Sequence, residues 1–448
     1  SHAAGVAPAI ILQRIGNPSL SEDKGLLAAL LKSLSGIERN EIRATSVSFT
    51  FVFTLMVAYY LLRPVRDAMA SDWTDAELST LWTINFFVST GIVALYGIAV
   101  SRIPFRALVP AVYGFFAASF IAFYFLESFV GRVMLDKIFY LWVSVFALFH
   151  VSVFWSFMAD IFSKDQAGRL FSIIAAGASL GAIVGPLLSG VLAQFMAVES
   201  MILIAAFILL LPVPLIYYLD HVGRTQLGNV GQGATAVTAI GGNPLSGFRE
   251  FVSNPYLLGI GVFIILYTGI GSFVYFEQKN LLAQYDRETR TMIYGYRDAL
   301  VNTLTYLLAF FVTGRLVTRV GMPVALAIVP LVLVFGMLVL AFSPVLLVAV
   351  GMHVVAKAGN YGVTRPAREV LFTLVDREDR FKTKPVIDIV AYRGGDVIMG
   401  WLFTGLSQGV GMGMAGIAVV GAGIAALWAA VGLLLVRSYK RRQEEQDQ

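Results

Sequence analysis

The chain reads as a succession of apolar stretches separated by short polar turns, each stretch about as long as a helix needs to cross a bilayer. They run Val47 to Leu62, Leu81 to Val100, Leu108 to Leu126, Ile138 to Phe157, Leu170 to Met196 and Met201 to Leu219 in the first half. The second half continues with Leu257 to Phe276, Leu300 to Val317, Pro323 to Phe342, Val345 to Val363, Val386 to Gly405 and Ala415 to Val436. Nearly all are apolar around their whole circumference, so length identifies them better than a 3.6-residue period. The period-two alternation of a closed barrel is absent. Twelve transmembrane helices are therefore predicted. Ahead of them Leu26, Leu27, Leu30, Leu31, Leu34 and Ile37 share one helical face, which predicts a short interfacial helix. His221 to Phe248, rich in Gly, Thr, Asn and Gln, reads as a linker. The expected division is a cytoplasmic N-terminal segment (1–43), a six-helix bundle (44–219), a cytoplasmic linker (220–250), a second six-helix bundle (251–437) and a charged cytoplasmic tail (438–448).

Composition narrows the class. Of 448 residues 58% are hydrophobic and 14% charged, about half the charge of a soluble domain, and the mean hydropathy is +0.77. A soluble enzyme is excluded, and no histidine, serine or threonine has the neighbours of a catalytic nucleophile or base, so no enzyme is expected. There is no cysteine, and the four histidines are far apart, so neither a metal nor another cofactor is expected. The net charge of +5 follows from the positive-inside bias of membrane loops, and no nucleic-acid partner is expected. Basic residues gather on the side of the N-terminus, while the other side receives Arg63, Arg66, Arg132, Lys137, Lys279, Arg287, Arg290 and Arg297. Both termini are thereby placed in the cytoplasm of a bacterial inner membrane. Ser1-His2, with no Met before it, reads as a remnant of expression and carries no weight.

The halves also resemble each other. Gly97-Ile-Ala-Val-Ser-Arg102-Ile-Pro-Phe-Arg106 follows the second stretch, and Gly314-Arg315-Leu-Val-Thr-Arg319-Val-Gly-Met-Pro323 follows the eighth. An all-α integral membrane protein with twelve transmembrane helices in two six-helix repeats is the major facilitator architecture, whose substrate cavity lies between the repeats. Charges inside spans are costly and point to such a cavity. The first span ends Tyr59-Tyr60-Leu-Leu-Arg63-Pro64-Val-Arg66-Asp67, where proline is expected to break the helix. Its arginines, one turn apart on one face, either turn into the cavity or snorkel to headgroups. Lys384, Asp388, Arg393 and Asp396 enter an otherwise apolar span, with Asp388, Tyr392 and Asp396 on one face. Glu277 and Lys279 close the seventh span and either pair locally or serve the cavity. Gly177, Gly181, Gly185 and Gly190 form a small-residue ridge suited to helix packing. Gly228-Asn-Val-Gly231-Gln-Gly233 has no following lysine and reads as linker rather than a phosphate loop.

These motifs resemble the ATP/ADP translocase family of plastids and intracellular bacteria over most of the chain. Tyr60-Leu-Leu-Arg63-Pro-Val-Arg66-Asp67 is similar to its Y-x-x-R-x-x-K-D, with Arg66 in place of lysine. Phe154-Trp155, Ala159-Asp160, Ala167-Gly-Arg169 and Gly177-Ala-Ser-Leu-Gly181 resemble its junction between spans four and five, and Lys384-Pro-Val-Ile-Asp388 matches its K-x-x-x-D. Glu277 and Lys279 shorten its E-x-x-K by one residue, and Val143 stands where it has an intramembrane glutamate. The resemblance implies a nucleotide exchanger working by alternating access. Its substrate contacts fall among Arg63, Arg66, Tyr60, Glu277, Lys279, Lys384, Asp388 and Arg393, and its conformational contacts at Asp67, Arg169 and Asp396. The expected partners are a small anionic substrate, with ATP and ADP as candidates, and the lipid bilayer; a monomer is expected. Proton-coupled transport of another anion or drug-like solute, and lipid-phosphate translocation, remain alternatives.

Overall fold

The computed structural model describes residues 37–126, 129, 131–227, 249, 251–375, 383 and 387–446. The first six helices are α1 (Ile42–Ala70), α2 (Asp75–Arg102), α3 (Phe105–Leu126), α4 (Arg132–Ile161), α5 (Lys164–Leu192) and α6 (Val198–Thr225, interrupted at Leu211 before Pro212). The second six begin with α7 (Pro255–Leu282). Then come α8 (Arg287–Leu307, prolonged by π-helical turns Leu308–Thr313 and Leu316–Val320) and α9 (Met322–Phe342). α10 (Leu346–Leu374) contains the π-helical turn Asn360–Thr364, and α11 runs from the π-helical Ile387–Gly394 through Gly395–Thr404 to Gly405–Gly409. α12 is Met414–Gln446. Among the described residues nine of these helices are long and apolar enough to cross a membrane; α2, α8 and α11 are the ones that fall short.

Packing repeats with a shift of six. α1 packs on α4, α5 and α6, as α7 packs on α10, α11 and α12; α3 packs on α6, as α9 packs on α12. The halves meet through α5 on α8 and, by the same symmetry, α2 on α11. These are two parallel six-helix repeats related by a pseudo-two-fold axis.

The α1–α5 contact follows from the glycine ridge. A Cβ added at Gly177 would lie 2.6 Å from the Phe49 carbonyl oxygen, at Gly181 2.5 Å from that of Phe53, and at Gly185 2.7 Å from Tyr60 Cβ. The absence of side chains lets the two backbones approach at three successive turns of α5. Gly190 extends the ridge to the other half, where Gly295 of α8 would bring a Cβ within 2.6 Å of its nitrogen. A capping box of Ser163 and Gln166 starts α5, which fixes where the ridge begins.

Several boundaries differ from those the hydropathy predicts. Pro64 does not break α1, which continues to Ala70 with Val65, Ala68 and Met69 buried on the far side of the proline. Losing one backbone N–H is tolerated where the flanking turns are packed this closely. α8 starts at Arg287 rather than near Leu300, because Asp286 caps it by accepting from Thr289 N at 2.7 Å. α6 runs past Leu219 to Thr225, and α12 runs through the charged segment beyond Arg437. The expected interfacial helix, Ile37 excepted, and most of the linker lie outside the described residues.

Candidate functional site

Between the repeats lies a cavity of about 620 Å³ whose wall is shared by both halves. The first half contributes Tyr59, Tyr60, Arg63, Arg66 and Asp67 from α1, Trp82 and Phe86 from α2, and Tyr140, Ser144 and His150 from α4. The second contributes Ser272 and Tyr275 from α7, Asp298 and Asn302 from α8, His353, Lys357 and Tyr361 from α10, and Arg393 and Asp396 from α11. Helical spacing explains these sets: Tyr60, Arg63 and Asp67, like His353, Lys357 and Tyr361, are three or four residues apart and share a face.

Two charge clusters differ in how they are compensated. In the first, Arg66 Nη2 and Nε donate to Asp67 Oδ1 at 2.6 and 3.0 Å, and Arg66 Nη1 donates to Ser144 Oγ at 3.3 Å. Arg297 Nη2 reaches Asp67 Oδ2 at 3.1 Å and Asp298 Oδ1 at 2.6 Å, while Arg63 Nε lies 3.4 Å from Asp298 Oδ2. Tyr275 Oη donates to Asp67 Oδ1 at 3.4 Å, and Gln278 Oε1 accepts from Arg297 Nη1 at 3.2 Å. The pairing is reciprocal: an arginine of α1 meets an aspartate of α8, and an arginine of α8 meets an aspartate of α1. Tyrosine rings cover the guanidiniums, Tyr140 under Arg66 at 5.1 Å and Tyr294 under Arg297 at 4.5 Å. Asp67, Arg297 and Asp298 are fully buried, whereas Arg63 keeps 23% of its side-chain exposure towards the cavity.

The second cluster is open. Lys357, Arg393 and Asp396 line the cavity, yet among the described residues none of the three has an ion pair or hydrogen bond. His353 is buried beside them, with Nε2 unpartnered. Across the cavity His150 stacks on Tyr59 at 4.2 Å. Cations outnumber carboxylates around the wall: Arg63, Arg66, Lys357 and Arg393 face Asp67, Asp298 and Asp396, and Arg297 lies buried behind it.

A polar seal closes the bundle end that carries the turns 71–74 and 283–286. Arg287 Nη2 donates at 2.8 Å to both Asp72 Oδ2 and Asp136 Oδ2, and Arg290 Nη1 donates to Asp72 Oδ1 at 2.5 Å. Ser79 and Thr404 share a hydrogen bond at 2.8 Å, and Ser407 donates to Asp75 at 2.8 Å. Partial burial raises the Asp72 carboxyl, but hydrogen bonds from Arg290 and Arg287 outweigh it and hold the group below the usual carboxylate range.

Of the residues expected at the site, Tyr60, Arg63, Arg66, Asp67, Arg393 and Asp396 line the cavity. Glu277 and Lys279 do not. Lys279 Nζ donates to Asp75 Oδ1 at 2.9 Å and to the Trp73 carbonyl at 2.7 Å, so it belongs to the seal. It shares the face of Tyr275 but lies one turn nearer the closed end, whereas Glu277 is rotated about 200° from Tyr275 and is buried with both oxygens unpartnered. Arg169 pairs with Glu41 at 2.8 and 3.0 Å, which fastens α5 to the start of α1 within one half. Lys384 lies outside the described residues, and of Asp388 only the backbone, in the π-helical turn of α11, is described. Val143 is a fully buried core residue of α4, whose cavity face carries Tyr140 and Ser144 instead.

Arg297 and Asp298 were not expected at the site, because counting Arg297 among loop charges presumes a later start for α8. The Asp286-Arg-Glu-Thr289 cap is the signal that could have found them. Lys357 falls inside the apolar run Val345 to Val363, and its position there is the signal that marks it as an intramembrane charge. His353 and Ser144 carry no sequence signal that separates them from packing residues. Among the described residues no group of three or more His, Asp or Glu side chains is placed to hold a metal ion.

No curated protein matches the chain. Among solved structures, the nucleoside transporter NupG aligns with a TM-score of 0.63 at 12% identity, covering 89% of this chain and 99% of that one. The POT family transporter PepTSo gives 0.62 at 13%, covering 89% and 98%. A bacterial homolog of the human lysosomal transporter Spinster, inward-facing and unoccupied, gives 0.58 at 13%, covering 91% and 99%. Likeness at such identities shows the fold alone. The narrower resemblance to ATP/ADP translocases rests on the motifs, whereas residues 24–372 match the profile of the Major Facilitator Superfamily. With that match spanning most of the chain and a shared cavity between two six-helix repeats, the protein belongs to the Major Facilitator Superfamily and is by family and fold a multi-pass membrane transporter.

Proposed function

We propose that the protein carries a phosphorylated organic anion across the membrane by alternating access, with nucleotides such as ATP and ADP as the narrower candidates. The observation that carries this reading is the pair Lys357 and Arg393, two cations on the cavity wall that form no ion pair among the described residues. Guanidinium pairs phosphate oxygens bidentately and the ammonium adds a point charge. Tyr60, Trp82 and Phe86 on the opposite wall would take a planar ring. A cavity of about 620 Å³ is of the size that encloses such a solute. The charge bias of the loops puts the sealed end outside, so the cavity would load from the cytoplasm.

Exchange fits the same chemistry. The arginines of α1 have resident carboxylates, so the excess positive charge of the empty cavity lies at Lys357 and Arg393, which outnumber Asp396 beside them. Enclosing that charge without an anion is unfavourable, and the loaded carrier reorients more readily than the empty one. Stabilisation of the purified protein by nucleotides and sugar phosphates, but far less by the free nucleoside or sugar, is the expected result in a thermal-shift titration. Lys357→Gln and Arg393→Gln should each weaken it about ten- to a hundred-fold, the value of a charge-assisted contact. Equal stabilisation by the nucleoside removes the phosphate anchor.

A second reading is proton coupling, favoured by two carboxylates without an ion pair among the described residues, Asp396 on the wall and Glu277 in the core. Uptake into liposomes that needs internal counter-substrate and survives a protonophore supports exchange. Uptake abolished by the protonophore, with no exchange, selects the second reading.

A further inference from the structure

Asp396 is the feature of the cavity that a simple anion site does not need. It lies within reach of the fields of Lys357 and Arg393, yet touches neither. Asp67 and Asp298, by contrast, are locked onto arginines at 2.6 Å. A carboxylate serving only to neutralise its neighbours would be more stable in direct contact with one of them. Holding it apart leaves its oxygens free for a ligand, and leaves the two cations free as well. His353 adds an unpartnered Nε2 on a side chain that is only 2% exposed, one helical turn from Lys357 on the same face of α10.

Resting on the anion reading above, we propose that α10 and α11 form a two-signed subsite. The ligand's phosphate engages Lys357 and Arg393, while a hydrogen-bond donor on the same ligand, a hydroxyl or an ammonium, engages Asp396. The substrate class is thereby narrowed to phosphates that also carry donors, as in sugar and amino-sugar phosphates or the ribose of a nucleotide. An anion lacking a donor brings its charge beside a carboxylate it cannot satisfy and is disfavoured, so Asp396 selects by repulsion as well as attraction.

The test uses the full chain in detergent and three ring-sized probes: phenyl phosphate, glucose 6-phosphate and glucosamine 6-phosphate. Apparent affinities come from thermal-shift titrations. The parent should bind the two sugar phosphates about tenfold or more tightly than phenyl phosphate. Asp396→Asn should shrink that preference to within about threefold, most for the ammonium-bearing probe, and Asp396→Glu should retain it. A parent that binds phenyl phosphate as tightly as the sugar phosphates overturns the subsite without any variant. So does an Asp396→Asn protein that keeps the full preference. If neither these three phosphates nor ATP or ADP stabilises the parent, the anion reading itself falls and the subsite with it.

Discussion

Asp67→Asn is the change that best tests the buried ion lattice between the halves. The carboxylate is 1% exposed and neutralises two guanidiniums, Arg66 at 2.6 Å and Arg297 at 3.1 Å, on different repeats. Arg297 keeps Asp298 at 2.6 Å after the change, but Arg66 loses its one carboxylate partner among the described residues and retains a serine hydroxyl at 3.3 Å and the face of Tyr140. Removing one member of a buried pair costs about 3–5 kcal/mol because the other charge stays desolvated. Since only Arg66 is stranded, and is itself 15% exposed, the low end, about 3 kcal/mol, is expected. Glu445→Gln, which breaks the Arg441 pair at 83% and 60% exposure, should cost about 0.5 kcal/mol or less. Thermal unfolding in detergent at fixed scan rate compares the two. Adding Arg66→Met to Asp67→Asn should recover part of the loss, because the stranded charge is then gone. An Asp67→Asn protein as stable as the Glu445→Gln control, or no recovery in the double variant, refutes the lattice as a charged network.

Two further outcomes follow from local geometry. Gly181→Ala forces a Cβ to 2.5 Å from the Phe53 carbonyl oxygen and should destabilise by about 1–3 kcal/mol. Gly168→Ala, on the same helix with nothing within 4 Å, should be neutral or stabilising; equal unfolding temperatures for the two variants contradict the close approach of α1 and α5. At the seal, the lowered Asp72 carboxyl contributes stability that is complete above pH about 4 and is lost as pH falls through its depressed value. Acidification should lower the hydrogen-exchange protection of residues 71–74, once the fall of the intrinsic exchange rate with pH is divided out. Asp72→Asn should show low protection at all pH and lose the acid step, and a step of unchanged size in the variant places the acid-sensitive group elsewhere.

Span number and repeat were legible because a bilayer demands long apolar runs and twelve are present. Their ends were not, because hydropathy weighs residues one at a time whereas helices end where caps and packing end them. α1 and α8 show the consequence. Arg63, Arg66 and Asp67 look like the end of the run from Val47, as Arg290, Arg297 and Asp298 look like a loop ahead of the run from Leu300, yet each set lies inside a continuous helix. Charge normally marks the edge of a span because a lone charge is costly in the interior. Here the charges of one boundary are satisfied by those of the other, so neither needs to leave.

The same mutual satisfaction explains which part of the site could be read in advance. Arg63, Arg66 and Asp67 were recognisable as out of place, but their partners Arg297 and Asp298 are about 230 residues away, and no local pattern records a pairing across that separation. Glu277 and Lys279 illustrate the converse, since two adjacent charges at a span end look alike in sequence. A rotation of about 200° puts Glu277 behind the cavity face of α7, and one turn of rise puts Lys279 in the seal. Arg393 and Asp396 were visible as intramembrane charges, Lys357 falls inside the run Val345 to Val363, and what the structure adds is that none of the three has an ion pair or hydrogen bond among the described residues. That distinction decides the chemistry, because a cation already paired must exchange one carboxylate for another anion, whereas an unpaired one binds an incoming phosphate with no partner to displace. On the anion reading proposed above, the charge that meets the ligand would be that of α10 and α11, and the arginines of α1 would serve mainly to hold the halves together.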